Sequence, residues 1–273
     1  MEKQKQTYSE NKLAAKMGRI KHKILVISGK GGVGKSTVAV NLAVSLALRG
    51  KKVGILDIDL HGPSVPKILN LEGARPVGNE GTIDPVHVTD NLSAMSIGFL
   101  VPDKDSPVIW RGPMKYNMIK QFLEEVEWSD LDYLIVDSPP GTGDEPLAVA
   151  QLIQNADGAV VVTTPQQLAL ADVRRSITFC RQLDLPVLGV IENMSGFLCP
   201  HCRETVNIFK SGGGEAMSGE MKVPFLGKIP VDPLVVESCD SGRPYIENYK
   251  DTAVSKIFDR AVSSLTAGLE KNG

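Results

Sequence analysis

Short β-branched runs alternate along this chain with longer stretches whose apolar residues recur every three or four positions. KILVIS (23–28) reads as a buried strand closed by Gly29. Residues 35–49 place Val38, Leu42, Ser45/Leu46 and Arg49 at helical spacing, and Gly50 stops the helix. VGILDID (53–59) is a second strand and SAMSIG (93–98) a weaker third. Residues 112–127 predict a helix ending near Trp128. DYLIVD (132–137) is a buried strand before a helix over about 145–154, and GAVVVTT (158–164) one before a helix over about 168–183. PVLGVIEN (186–193) and PFLGKIP (224–230) are further strands, and a helix over roughly 250–269 follows. Apolar strands alternating with helices predict an α/β fold of three layers. A mostly parallel sheet then carries helices on both faces. Ligands bind such a sheet beyond the carboxyl ends of its strands.

The chain has 273 residues, 42% of them hydrophobic, which suits one large core. Residues 23–273 are expected to form that single domain, with an insertion near 195–222. Residues 1–23 hold seven Lys/Arg and two acids, a local +5 within an overall −2. Residues 1–22 therefore read as a basic, flexible lead-in or a basic docking arm. The acidic remainder gives no sign of nucleic-acid binding, and no apolar run is long enough to span a membrane. The start lacks the apolar core of a signal peptide. Four cysteines in a chain this long fit a reducing cytoplasm with free thiols rather than a disulfide scaffold.

The strongest chemical signal is GKGGVGKST (29–37), between the first strand and the first helix. It matches G-x-x-x-x-G-K-[ST] through Gly29, Gly34, Lys35 and Ser36. The backbone N–H groups of Gly31, Gly32, Val33, Gly34 and Thr37 can wrap phosphates, aided by the helix dipole. Lys35 would reach the β- and γ-phosphates of ATP, and the Ser36 hydroxyl would ligate Mg²⁺. Asp137 ends an apolar strand, as a magnesium-side aspartate does. Asp57 and Asp59 end another. Pro139, Pro140, Gly141 and Gly143 make DSPPGTGDE (137–145) a turn that can switch, with Asp144 and Glu145 as helix-start charges.

Lys30 is a second lysine directly after Gly29. In this it resembles the deviant Walker ATPases of the MinD/ParA and nitrogenase-iron-protein class, within the SIMIBI group of P-loop NTPases. That resemblance implies that Lys30 acts across a dimer on the partner's nucleotide. It makes Asp59 a first-switch residue near Mg²⁺ and the attacking water, and Lys30, Lys35 and Asp59 the catalytic set. It also implies adenine contacts from Asn193 and from the backbone of Pro230 to Asp232.

Cys199 and Cys202 are half of a tetrahedral thiolate site. Two chains facing each other would supply four thiolates, which suits a [4Fe–4S] cluster or Zn²⁺. Cys180 reads as a small buried hydrophobe, Cys239 as either inert or a redox helper, and His201 as solvent-facing.

GKGGVGKST, DIDLHGPS (57–64), WRGPM (110–114), DSPPGTGDE, ENMSGF (192–197) and CPHC (199–202) occur in this order. Together they resemble the Mrp/ApbC family of iron–sulfur cluster carrier ATPases over about residues 20–260. The resemblance implies a homodimer that holds a labile [4Fe–4S] cluster on Cys199 and Cys202 and hydrolyses ATP slowly. It implies transfer to apo iron–sulfur proteins, cluster-assembly scaffolds as partners, and neither a nucleic-acid nor a membrane partner. Two departures stand out. No cysteine precedes the first strand, as in a minimal prokaryotic form, and Arg203 stands where such knuckles often have Gly. The alternatives are a MinD/ParA-type positioning ATPase with a structural zinc, a nitrogenase-type reductase and a zinc-stapled scaffold.

Overall fold

The computed structural model describes residues 12–60, 62–79, 81–100, 112–199, 201–202 and 204–269. The sheet has eight strands in the order β10-β7-β6-β1-β5-β2-β4-β3. In chain order these are β1 (Ile20–Ile27), β2 (Val53–Asp57), β3 (Val86–Thr89), β4 (Leu92–Ser96), β5 (Leu131–Asp137), β6 (Gly158–Thr163), β7 (Val187–Glu192) and β10 (Phe225–Lys228). All pairings are parallel except β3 with β4, at the sheet edge. β8 (Phe197–Leu198) and β9 (Thr205–Val206) form a separate antiparallel hairpin. The helices are α1 (Lys35–Leu48), α2 (Val65–Ile68), α3 (Gly112–Glu125), α4 (Asp144–Leu152), α5 (Gln167–Gln182), α6 (Gly213–Met221), α7 (Pro233–Ser241), α8 (Tyr245–Asn248) and α9 (Ala253–Leu269).

The central strands are apolar on both sides because both sides are covered. Ile24 and Val26 of β1 join Ile55 and Ile135 in a core shared with α1, α8 and α9. Leu25 and Ile27 face the opposite core, with α3, α4 and α5. Side chains alternate across a strand, so a single residue of slip would exchange the two cores. In α9, Val254, Phe258, Ala261, Val262, Leu265 and Leu269 are buried, the core-facing stripe of an amphipathic helix.

Most expected elements appear within a few residues of their predicted ends. SAMSIG is shorter as a strand. β4 ends at Ser96, and a 3₁₀ turn takes Ile97–Phe99. The short elements α2, β3 and α8, together with α6, α7 and the hairpin, were not expected.

The flexible lead-in is corrected where it is described. Residues 12–18 are helical, and Leu13 and Met17 are 2% exposed in the second core. Lys16 Nζ donates to the carbonyls of Glu124 (2.6 Å) and Val126 (3.1 Å), at the end of α3. Lys23 Nζ donates to the carbonyls of Met17 (3.4 Å) and Ile20 (3.2 Å). The two lysines counted as solvated charge are buried helix-end caps. Residues 1–11 lie outside the described residues, as do His61, Trp110, Arg111, Pro200 and Arg203 of the quoted motifs.

Candidate nucleotide and thiol sites

The carboxyl ends of β1, β2 and β5 form the floor of the first site. Asp57 and Asp137 are register partners on β2 and β5, and the alternation that buries Ile55 and Ile135 turns them to the α1 side. The loop from Ser28 to Gly34 crosses above them into α1. Gly32 (φ 77°) and Gly34 (φ 82°) hold left-handed backbone there. Ser28 Oγ donates to the Lys30 carbonyl at 2.9 Å. A Cβ on Gly29 would lie 2.5 Å from Asp172 Cβ, so the loop rests directly on α5.

Lys35 Nζ lies 2.5 Å from Asp137 Oδ1 and 3.6 Å from Asp59 Oδ2. Lys30, Gly31, Gly32, Gly34, Lys35, Ser36, Thr37 and Asp59 line one cavity of about 270 Å³, with Pro140 of the second switch on its wall. The structure thus brings together the residues expected at the phosphates. Val33 does not line that cavity: its side chain is buried in the α1 core and its carbonyl meets Asn193.

The electrostatics are those of buried carboxylates around one cation. Burial, reinforced by Asp137, pushes the Asp57 carboxyl up to about 8. Opposing this, Asp57 accepts from Asp59 N (3.1 Å), Val65 N (3.2 Å) and Ser96 Oγ (3.0 Å). Burial also raises Asp137, against the pull of Lys35 and the Ser36 hydroxyl. Asp137 Oδ2 is buried and has no hydrogen-bond partner among the described residues. An unpaired carboxylate oxygen beside a serine hydroxyl is a fitting donor set for Mg²⁺.

The residues expected at the base do not line the phosphate cavity. Asn193 Nδ2 donates to the Val33 carbonyl at 2.9 Å. Asp232 caps α7, accepting from Leu234 N and from the Tyr245 hydroxyl, both at 2.9 Å. Pro230 stands just before that cap. Asn193 thus braces the loop, and Asp232 a helix start.

The thiol pair sits on the hairpin that follows β7. Cys199 N donates to the Glu204 carbonyl at 3.0 Å, closing the tip. The backbone N–H groups of Cys202 and His201, then the Cys202 thiol, bond the Cys199 sulfur and hold its pKa below the ordinary thiol value. Cys202 and His201 are exposed. Leu198, Val206, Ile208 and Phe209 are exposed apolar side chains on and beside the same hairpin. Among the described residues, no three His, Cys, Asp or Glu gather as a metal site, so one chain offers this pair alone. Cys180 is fully buried and its thiol is pushed up to about 12. Cys239 Sγ lies 3.6 Å from Thr37 Oγ1, and burial raises its thiol as well.

Sequence reasoning missed one polar cluster. Glu192, wholly buried, accepts from Ser195 Oγ (2.5 Å), Gly212 N (2.8 Å) and Gly214 N. The available signal was a glutamate ending a strand shortly before the glycine run SGGGE (211–215).

A parallel sheet with this loop between β1 and α1 defines a P-loop NTPase. The chain belongs to the family described as NUBPL iron-transfer P-loop NTPase (ParA), which matches residues 19–266. An iron-sulfur cluster carrier protein of Methanocaldococcus jannaschii is 49% identical over 259 residues, 95% of this chain and 89% of that protein. A protein of Aedes aegypti named cytosolic Fe-S cluster assembly factor Nubp2 homolog is 51% identical over 253 residues, 91% of this chain and 98% of that one. A nucleotide-binding protein of Archaeoglobus fulgidus, solved with ADP, superposes with a TM-score of 0.77 at 40% identity, covering 88% of this chain and 93% of that one. The Pyrococcus furiosus cell-division ATPase MinD shares the fold, with a TM-score of 0.64 at 22% identity over 90% of this chain and 99% of that one. Among the described residues, no helix is long and apolar enough to cross a membrane.

Proposed function

We propose that this protein is a cytoplasmic iron–sulfur cluster carrier that binds and slowly hydrolyses ATP. Two protomers hold a labile [4Fe–4S] cluster between their Cys199/Cys202 pairs and pass it to apo iron–sulfur proteins, receiving it from assembly scaffolds. The observation that carries this reading is a thiol pair, Cys202 exposed and Cys199 half-buried with N–H donors on its sulfur, in the same chain as a complete phosphate loop. The names of the archaeal and insect relatives support it. The exposed apolar side chains around the thiols suit a face that meets another chain.

For ATP, the loop N–H groups and Lys35 bind the phosphates. Lys35 leaves Asp137 for the γ-phosphate as charge develops there. Ser36 and Asp137 would hold Mg²⁺, which supplies charge neutralisation at the phosphates. Asp59, which lines the cavity, would orient the attacking water, and Lys30, which also lines it, would reach a facing protomer's nucleotide. Asn193, Pro230 and Asp232 serve the base side through the backbone they position.

The test is anaerobic iron, sulfide and zinc analysis of the reconstituted wild type and of the Cys199→Ala/Cys202→Ala variant. The expected result is about four iron and four sulfide per two chains, lost in the variant. Stoichiometric zinc without sulfide would overturn the carrier reading.

A further inference from the structure

The phosphate loop and the cysteine hairpin segment are fastened to two adjacent residues, one each. Asn193 holds the loop. Its amide bonds the Val33 carbonyl at 2.9 Å, and a Cβ on Gly34 would fall 2.2 Å from Asn193 Nδ2. The peptide unit grasped there is the one between Val33 and Gly34. Its carbonyl and N–H point in opposite directions in a planar trans peptide. Its carbonyl meets Asn193, and Gly34, which carries its N–H, lines the phosphate cavity. An anion on that N–H therefore pulls on the peptide that Asn193 holds.

Glu192 holds the other side. Its carboxylate ties Ser195, at the start of the hairpin segment, to Gly212 and Gly214, at its end. Ser211 Oγ lies 2.9 Å from Ser195 Oγ and extends the clasp. The stretch between is short and fixed by its backbone. Asn193 N donates to Thr163 O (2.7 Å), Ser195 N to Ile229 O (2.9 Å) and Val231 N to Gly196 O (2.7 Å). Met194 holds left-handed backbone at φ 56°. A buried carboxylate held by three donors resists losing one, so the clasp is expected to shift as a unit.

We infer that Glu192 and Ser195 are positioning residues that make the exposure of Cys199 and Cys202 depend on the nucleotide held at the P-loop. The inference rests on the nucleotide site proposed above and names a route from that site to the thiols. A chain of contacts alone does not measure coupling, so the readout must be the dependence itself.

The experiment is alkylation of the full-length, metal-free protein by iodoacetamide, with rates read residue by residue by mass spectrometry, with and without ADP and magnesium. In the wild type, the Cys199 and Cys202 rates should change by at least about threefold on adding ADP, while the buried Cys180 stays unreactive. In Ser195→Ala the change should shrink to less than about half, with ADP affinity kept within about twofold. Ser211→Ala, which removes only the outer hydroxyl, should fall between them and serves if Ser195→Ala does not fold. Wild-type rates indifferent to ADP, or a full response in the folded serine variants, would overturn the inference. Metal analysis separates the two proposals. Zinc in place of iron, with ADP-sensitive thiols, removes the carrier and leaves the link. Iron loading with ADP-indifferent thiols does the reverse.

Discussion

Two side chains, shifted in opposite directions, make the pH behaviour testable. Asp57 keeps its proton up to about pH 8 when folded, against an ordinary value of 3.8. Between those values the unfolded chain has ionised and the folded chain has not, so the folded state binds more protons. Stability is then full below about pH 4 and is lost as pH rises through about 8. Melting temperatures should fall over that window, and Asp57→Asn should flatten the fall, as a calorimetric pH series would show. At Cys199 the sign is opposite, because N–H donors favour the thiolate. The iodoacetamide rate at Cys199 should reach its half-maximum below the usual thiol range, and Cys202→Ala should move that midpoint upward. At this scale the sequence was explicit for Lys35 and Ser36, read from spacing, and for Asp137, read from its strand end, and the structure brings Lys35 within 2.5 Å of Asp137. The sequence was silent on Glu192 and Ser195, because the glycines that complete their cluster, Gly212 and Gly214, lie 20 and 22 residues from Glu192 and only folding brings them within reach.

Elements were legible where periodicity was strong and obscured where charge interrupted it. The helix over 12–18 shows why. Leu13, Met17 and Ile20 keep helical spacing, but Lys16 and Arg19 between them resemble a solvated tail until α3 supplies carbonyls for Lys16. Leu13→Ala should cost about 2–3 kcal/mol by opening a cavity in the second core. That corresponds to a melting temperature lower by about 5–10 °C in a domain of this size. A variant that melts like the wild type would return residues 12–18 to the lead-in. The short elements α2, β3, β8 and β9 were illegible for another reason. At two to four residues each, they are too brief for any period to register.

For the molecule as a whole, the thiol pair stands apart from both cores. Neither Cys199 nor Cys202 belongs to a buried cluster. The metal-free Cys199→Ala/Cys202→Ala protein should therefore melt within about 1–2 °C of the wild type, as surface substitutions do. A large loss would mean that the pair staples the fold. Iron loading, by contrast, should raise the melting temperature of the wild type and leave the variant unmoved, because a ligand bound only when folded stabilises by mass action.

The chain contains two glycine-rich helix starts, and they have opposite fates. The one before α1 opens onto a cavity that a diffusible anion can enter. The one before α6 is already occupied by the Glu192 carboxylate, an anion tethered to the same polypeptide. A tethered group acts at a very high effective concentration. A free phosphate would have to compete with that tethered carboxylate, so of these two glycine-rich starts the one before α1 is the open one.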